Sequence, residues 1–598
     1  MNKSFENKMS PALSMFNHIY KEFNEIYHEA TLKMGLSDSA FDILYSIVDL
    51  GDGCSQSDIC KYSCLSKQTV NSSIKKMASI NYLTFKPGKG RVMQIFLTDK
   101  GRQLLDEKIY PIIKKENEAF LCMTDEECRL MLELYEKYNN ALKNKFKELL
   151  FTNGDFMDTK LAQHFTYGKL LKFVFPSIVM MIFTSIYSVV DGLFVSNFVG
   201  KTAFASINLI MPFIMGLTAL GFMMGTGGSA IVAKTLGEGK PEKANEYFSL
   251  IVYTTIIGGL ILSILGMFLV RPVSILLGAE GELLENCVLY GRITFISLTA
   301  FMLQNVFQSF FVTATKPKLG LAVIVSAGVT NMVLDYLFIA VLGFGLAGAA
   351  IATVCGEFIG GLFPIFYFSR ENSSLLKLGR TKFNGSILLK TCTNGSSELM
   401  TNLSSSVVNS LYNIQLLKFT GEDGVAAYGT IMYVSFIFVA IFIGYSIGSA
   451  PIISYNYGSG NNKELQNMSK KSLSLISIWA VGLFVLAQVI STPLATIFVG
   501  YDHDLFLLTR HGFRIYCVTF LINGFNIYGS AFFTALSNGL ISATISFLRT
   551  LIFQIAAILI LPAIFGINGI WIAVAMAELL TLCFTATFFI KQRKVYHY

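Results

Sequence analysis

Residues 178–200 read IVMMIFTSIYSVVDGLFVSNFVG, twenty-three positions with one charged side chain, Asp191. At 1.5 Å per residue such a run covers the ~30 Å hydrocarbon core of a bilayer as a helix, and it is too long and too apolar for a strand. From Leu170 onward runs of this kind recur, broken by short polar segments. Twelve are expected, near 172–197, 205–231, 247–270, 291–314, 319–341, 346–368, 395–417, 427–452, 471–491, 511–535, 541–562 and 568–590. The expected fold class is therefore an all-α polytopic membrane protein, whose backbone polar groups are satisfied within each helix.

Outside these runs the chain changes character. Of 86 Lys, Arg, Asp and Glu residues, 41 lie in residues 1–150, 21 basic against 20 acidic, so the net charge of +8 is carried almost wholly by the remainder. A uniform soluble protein is excluded. The expectation is a water-exposed domain at 1–150, a short polar connection at 151–164 and a membrane domain at 165–592. Lysines and arginines concentrate in alternate breaks, among them Lys169, Lys234, Lys243, Lys316, Arg380, Lys390, Lys463 and Lys594. By the positive-inside rule this puts both termini of a multi-pass cell-membrane protein in the cytoplasm. The polar opening MNKSFENKMSPALS has no apolar core of a signal peptide. The cysteines, including Cys60-x3-Cys64 and Cys122-x5-Cys128, lack the spacing of a zinc site, and no metal centre is expected. No GxxxxGK phosphate loop is present, so ATP-driven transport is not expected, and the chain reads as a transporter rather than an enzyme.

The membrane part repeats itself. A shift of about 221 residues lays Gly237-Glu238-Gly239 on Gly458-Ser459-Gly460, Asn305 on Asn526, Gly348 on Gly569 and Glu357 on Glu578. Two six-helix lobes follow, an N-lobe at about 165–370 and a C-lobe at about 390–592, with sites between or within them. Polar residues common to both halves read as packing groups. Glu357 and Glu578 are thus expected to be structural, with Arg292 and Arg514 as their partners. Residues that break the symmetry read as functional: Asp191 faces Asn413, Gln308 faces Gly529, Asn331 faces Ile552, Asp335 faces Ala556, Thr353 faces Val574 and Glu398 faces Pro176. A carboxylate in the bilayer needs a cation, a proton or a water-filled cavity. Asn331 and Asp335, four apart, share one helix face and can present an amide oxygen and a carboxylate to one point. The competing reading is a set of satisfied interhelical hydrogen bonds.

The stretch 178–200, NMVLDYLFI at 331–339 and LGFGLAGAAIAT at 342–353 resemble the multidrug and toxic compound extrusion (MATE) family of cation-coupled exporters, over about residues 165–592. The resemblance implies a drug-like, amphipathic and cationic substrate, no cofactor, and coupling to H+ or Na+. It makes Asp191, Asn331, Asp335 and Thr353 the ion-coupling set and Pro176 the proline at which the first helix bends. Gln308 stands where an asparagine is frequent, and Glu398 lies on the helix that carries a coupling glutamate in other members.

Residues 1–150 read as amphipathic helices around one hairpin. Ser37 and Asp38 open a helix through Phe41, Leu44, Ile47 and Val48; Ser55 opens a second, and Ser66 a third that runs to Ile80. This is a helix-turn-helix. A turn across Phe85–Arg91 then leads into a strand at Val92–Leu97. The third helix carries Gln68, Thr69, Asn71, Ser72 and Lys75, which suit base edges and phosphates; the hairpin tip adds Lys86, Lys89 and Arg91. The alternative is an ordinary solvated face. The element order, the basic wing and LTDKG at 97–101 resemble the MarR family of winged-helix regulators, over about residues 10–148. That resemblance implies double-stranded DNA as a partner and a homodimer formed through the terminal helices near 10–30 and 124–148. The leading expectation is a multidrug efflux antiporter with a fused DNA-binding or ligand-sensing domain; its rival is a membrane-tethered transcriptional regulator whose transporter-like half senses without net flux.

Overall fold

A computed structural model of the chain describes residues 9–87, 93–152, 161–500 and 502–598. They form two compact units, Met1–Lys145 and Phe146–Tyr598.

The first unit opens with α1 (Pro11–Lys33), α2 (Asp38–Leu50), α3 (Gln56–Ser63) and α4 (Lys67–Ser79). Each starts where a serine hydroxyl accepts an orphan backbone N–H: Ser10, Ser37, Ser55 and Ser66. Ser55 and Asp58 cap each other's backbone reciprocally. Strands β1 (Leu83–Pro87) and β2 (Met93–Leu97) pair antiparallel from Leu83 opposite Leu97 to Pro87 opposite Met93. The first strand thus begins before Phe85, because Leu83 is needed in the core. α5 (Asp99–Leu104), a π-turn, α6 (Tyr110–Phe120) and α7 (Asp125–Thr152) complete the unit. Ile43, Leu44, Ile59, Val70, Ile95 and Ile109 form its core. Glu116 of α6 accepts from the hydroxyls of Tyr27 and Tyr45, tying α1 and α2 to α6; burial and this carboxylate push both phenols above the usual tyrosine range. The terminal helices keep apolar side chains in solvent, including Ile19, Phe23 and Ile26 on α1 and Leu130 and Leu134 on α7.

The second unit is helical throughout its described residues: α8 (Tyr167–Phe194), α9 (Lys201–Gly237), α10 (Pro241–Leu276), α11 (Gly281–Thr313), α12 (Pro317–Asp335), α13 (Gly345–Ser369), α14 (Gly385–Gly458), α15 (Asn462–Val499), α16 (His503–Tyr516), α17 (Asn523–Ala535), α18 (Gly539–Phe547), α19 (Phe553–Phe565) and α20 (Ile567–Tyr596). Among the described residues eleven helical spans are long and apolar enough to cross a membrane, one fewer than expected. The missing one is the run near 395–417. It is helical, as the first half of α14, which turns at Gly421 through a positive φ of 65°. Its Ser, Thr and Asn load, with Glu398, holds it below the hydropathy of the others.

The halves meet by the symmetry that the repeat implies. A Cβ on Gly237 would stand 2.0 Å from the carbonyl oxygen of Tyr455, and one on Gly458 would stand 2.1 Å from that of Lys234. Shifted by 221, the first contact becomes the second. Gly227 against Gly395 and Gly448 against Val174 form another such pair. These contacts lie toward the lysine-rich ends of α8, α9 and α14, where only glycine lets the backbones approach so closely.

At the same end the chain just before α8 is fastened to the C-lobe. Glu464, 4% exposed in the first turn of α15, bonds His164 Nδ1 at 2.7 Å and accepts from the Phe165 backbone N–H at 3.0 Å and from Asn467 Nδ2 at 2.7 Å. Lys471 Nζ and Asn467 Nδ2 both donate to the Phe165 carbonyl. Glu464→Ala orphans the buried Phe165 N–H, a loss of about 1–3 kcal/mol. We expect a lower melting temperature in detergent for this variant, with Glu464→Gln losing less because its amide oxygen can still accept.

Candidate functional site

The polar groups of the N-lobe converge where two helices change pitch. Asp335 is the last residue of α12 before a π-turn at Tyr336–Val341, and Asp191 lies four residues before the π-turn Val195–Val199 that ends α8. Such turns shift helix register and are frequent at functional sites. The Asp191 and Asp335 carboxyls lie within hydrogen-bonding reach of each other. Apart from that, Asp191 Oδ1 and both oxygens of Asp335, which is wholly buried, have no hydrogen-bond partner among the described residues. One turn before Asp335, Asn331 donates through Nδ2 to Thr353 Oγ1 of α13 at 3.4 Å, and its Oδ1 has no partner. Gly356 permits this approach, since a Cβ there would stand 3.2 Å from Asn331 Cβ. Glu357 of α13 accepts from Ser297 Oγ of α11 at 2.5 Å. Tyr290, two turns before Ser297, lies within electrostatic reach of Asp191, Asp335 and Glu357, and its buried hydroxyl has no partner.

Asp191, Asn331, Asp335 and Thr353 are therefore brought together, whereas Gln308 and Glu398 are not part of the cluster. Gln308 lies about 16 Å further along α11 than Ser297 at 1.5 Å per residue, and its Nε2 contacts Met181 Sδ at 3.2 Å. Glu398 sits in the polar half of α14, within electrostatic reach of Arg549. Pro176 is buried inside α8, which continues as one helix from Tyr167 to Phe194. No group of three or more His, Cys, Asp or Glu side chains able to hold a metal occurs among the described residues.

The expected arginine partners are corrected. Glu578 pairs with Arg549 Nε at 2.7 Å, not with Arg514, whose Nε contacts Ser491; Arg292 is exposed. Asn526 Nδ2 donates to Glu578 at 2.7 Å and Thr585 Oγ1 donates to Asn526 Oδ1 at 2.8 Å, so the C-lobe network is closed. The N-lobe copies differ: Asn305 Nδ2 is buried without a partner, and Glu357, read as structural, belongs to the carboxylate cluster. Its signal in the sequence was the absence of any arginine at 328, the position matching Arg549, where glycine stands.

In the first unit α4 presents Gln68, Asn71, Ser72 and Lys75 to solvent; Thr69 is half-buried, its hydroxyl 2.8 Å from that of Ser66. Lys86 is exposed with its ammonium over the Phe96 ring at 4.8 Å. Lys89 and Arg91 lie outside the described residues.

Two family models match. MatE covers residues 176–337 and again 399–560, together more than half of the chain, and a MarR family model covers 34–91. "Multidrug export protein MepA" of Staphylococcus haemolyticus (strain JCSC1435) is 25% identical over 429 residues, 71% of this chain and 93% of that protein. The protein of that name in Staphylococcus aureus (strain MSSA476) is 22% identical over 71% of this chain and 93% of its own length. A MATE crystal structure in the straight conformation matches with a TM-score of 0.70 at 19% identity, covering 74% of this chain and 99% of that one. The fold is that of the MATE transporters.

The closed C-lobe network makes a direct prediction. Arg549→Met leaves Glu578 buried without its cation, a loss of about 3–5 kcal/mol. We expect this variant to fall out of the folded membrane fraction, as measured by size-exclusion chromatography after extraction. Adding Glu578→Gln to it restores recovery in part.

Proposed function

Because this chain belongs to the MatE family, we propose that its membrane part is an antiporter that exports amphipathic organic cations in exchange for a proton or a sodium ion bound at Asp191 and Asp335. The relatives named as multidrug export proteins support the substrate class. One observation carries the coupling: two carboxyls face each other in a buried site, and among the described residues no lysine, arginine or histidine interacts with either. Two such groups cannot both stay ionised without a cation, so the site is stable either with a shared proton or with a small hard cation. Asp191, Asp335, the free Oδ1 of Asn331 and the Thr353 hydroxyl supply oxygen ligands of the kind sodium takes. Binding there neutralises the site. Uptake of the ion from outside and its release inside then drive export when drug binding favours the opposite charge state. Gln308 and Glu398 add polar groups away from the ion site, Glu398 on the polar half of α14. Both termini are proposed to be cytoplasmic, in line with the basic breaks.

The winged helix is proposed to be a regulator that dimerises through the exposed apolar faces of α1 and α7 and binds double-stranded DNA through α4, with Lys86, Lys89 and Arg91 on phosphates. It lacks any part of the ion site, so transport does not require it.

In proteoliposomes with an imposed inward proton or sodium gradient, Asp335→Asn should reduce gradient-driven export by about 5–150-fold, the span of a coupling free energy of about 1–3 kcal/mol. Wild-type export at equal insertion would overturn the assignment. In the full-length chain in nanodiscs, Gln68→Ala with Asn71→Ala should erase preference for DNA upstream of its own gene over unrelated DNA, at about 1–3 kcal/mol per lost bidentate contact. Fluorescence anisotropy at low salt reads this, and equal affinity of the wild-type chain for both DNAs would remove the regulator reading.

A further inference from the structure

The two lobes hold the same glutamate in different company. In the C-lobe, Glu578 has Arg549 and Asn526 as donors at 2.7 Å each, and Thr585 in turn fixes Asn526. The matching N-lobe positions are Glu357, Gly328, Asn305 and Pro364. At Gly328 a Cβ would already stand 2.5 Å from the Phe183 ring, so a phenyl group takes the volume and no cationic side chain can enter. Asn305 is retained, yet its Nδ2 is buried without an acceptor. Glu357 accepts a hydrogen bond from Ser297 Oγ.

Among the described residues the charged and titratable groups that interact with Glu357 are Asp191 of α8 and Tyr290 of α11; Asp335 of α12 lies beside Asp191. None is cationic. Tyr290 is 1% exposed and within electrostatic reach of the three carboxyls. Glu357 is not wholly enclosed by protein, although it lies deep in the lobe.

We propose that Glu357 is a third cation-binding carboxylate of the N-lobe, taking a proton or a sodium ion in the role that Arg549 fills for Glu578. The proposal rests on the reading of Asp191 and Asp335 as an ion site. That pair, in mutual hydrogen-bonding reach, can share one cation. Glu357 is turned toward Ser297 instead and needs its own, because an uncompensated carboxylate is too costly in a low-dielectric interior. Two cations, rather than one, then cross for each molecule exported.

The test is the zero-flux ratio in proteoliposomes with the membrane potential clamped at zero and ethidium as the probe. With two cations per turnover, a tenfold ion gradient balances about a hundredfold ethidium gradient; with one it balances about tenfold. The wild-type protein should show the first ratio and Glu357→Gln the second. Ser297→Ala, which removes only the hydrogen bond, should keep the wild-type ratio. A wild-type ratio near tenfold overturns the proposal even if Glu357→Gln fails to fold, and so does an unchanged ratio in a folded Glu357→Gln protein. Asp335→Asn separates the two levels: if it abolishes coupling while Glu357→Gln leaves the ratio unchanged, the ion site stands and the third carboxylate falls. If Asp335→Asn still couples fully, the underlying site is wrong.

Discussion

A carboxylate in hydrocarbon must be neutralised, and the membrane part of this chain is organised around two ways of doing so. The C-lobe does it once and permanently: Arg549, on a π-turn between α18 and α19, bonds Glu578 while Asn526 and Thr585 complete the network. Such a pair contributes specificity more than net stability, since desolvation of both ions offsets much of their attraction. Among the described residues, the N-lobe gives Asp191, Asp335 and Glu357 no built-in cation. A fixed counter-ion makes a strut, whereas an exchangeable one makes a binding site.

This asymmetry is set within a frame that is symmetric where mechanics require it. The reciprocal contacts Gly237–Tyr455 and Gly458–Lys234 place the same backbone approach on both sides of the seam. Backbone-to-backbone contact of this kind has no flexible side chain to absorb a shift, so the two lobes either fit or separate. The Glu464 cluster works at the same end. It holds the segment before α8, which belongs to the N-lobe, to the first turn of α15 in the C-lobe. Because Glu464 is buried, leaving these bonds unmade costs more than their net gain, so the cluster fixes the seam.

Much of this was legible in the sequence, for reasons that differ by element. Hydropathy located the spans because a bilayer demands length and apolarity from each, and the serine caps at Ser37, Ser55 and Ser66 located helix starts because orphan N–H groups must find acceptors. The first half of α14 shows the limit of hydropathy. A helix whose polar side chains bond their own backbone, as Thr401 does to Ser397 and Ser405 to Thr401, remains a good helix while reading as a poor span. Symmetry-breaking polar residues are conspicuous against an apolar repeat and pointed to six positions, of which Asp191, Asn331, Asp335 and Thr353 come together while Gln308 and Glu398 lie elsewhere.

The same repeat did not foretell that Glu357 lacks the arginine that Glu578 has. Matching positions were taken to share an environment, but whether a buried charge is satisfied depends on a third residue elsewhere in the chain. Arg514 and Arg292 looked like partners because they match each other in register; Arg549 did the pairing, and its counterpart is Gly328. A glycine opposite an arginine is visible in the aligned halves, yet it acquires meaning only once α12 is known to pack Gly328 against Phe183 and α20 is known to face Arg549. A repeat therefore reports which positions occupy equivalent places. Which of them carry an exchangeable charge is decided by the side chains that the other helices bring to those places, and among the described residues of the N-lobe they bring none that is positive.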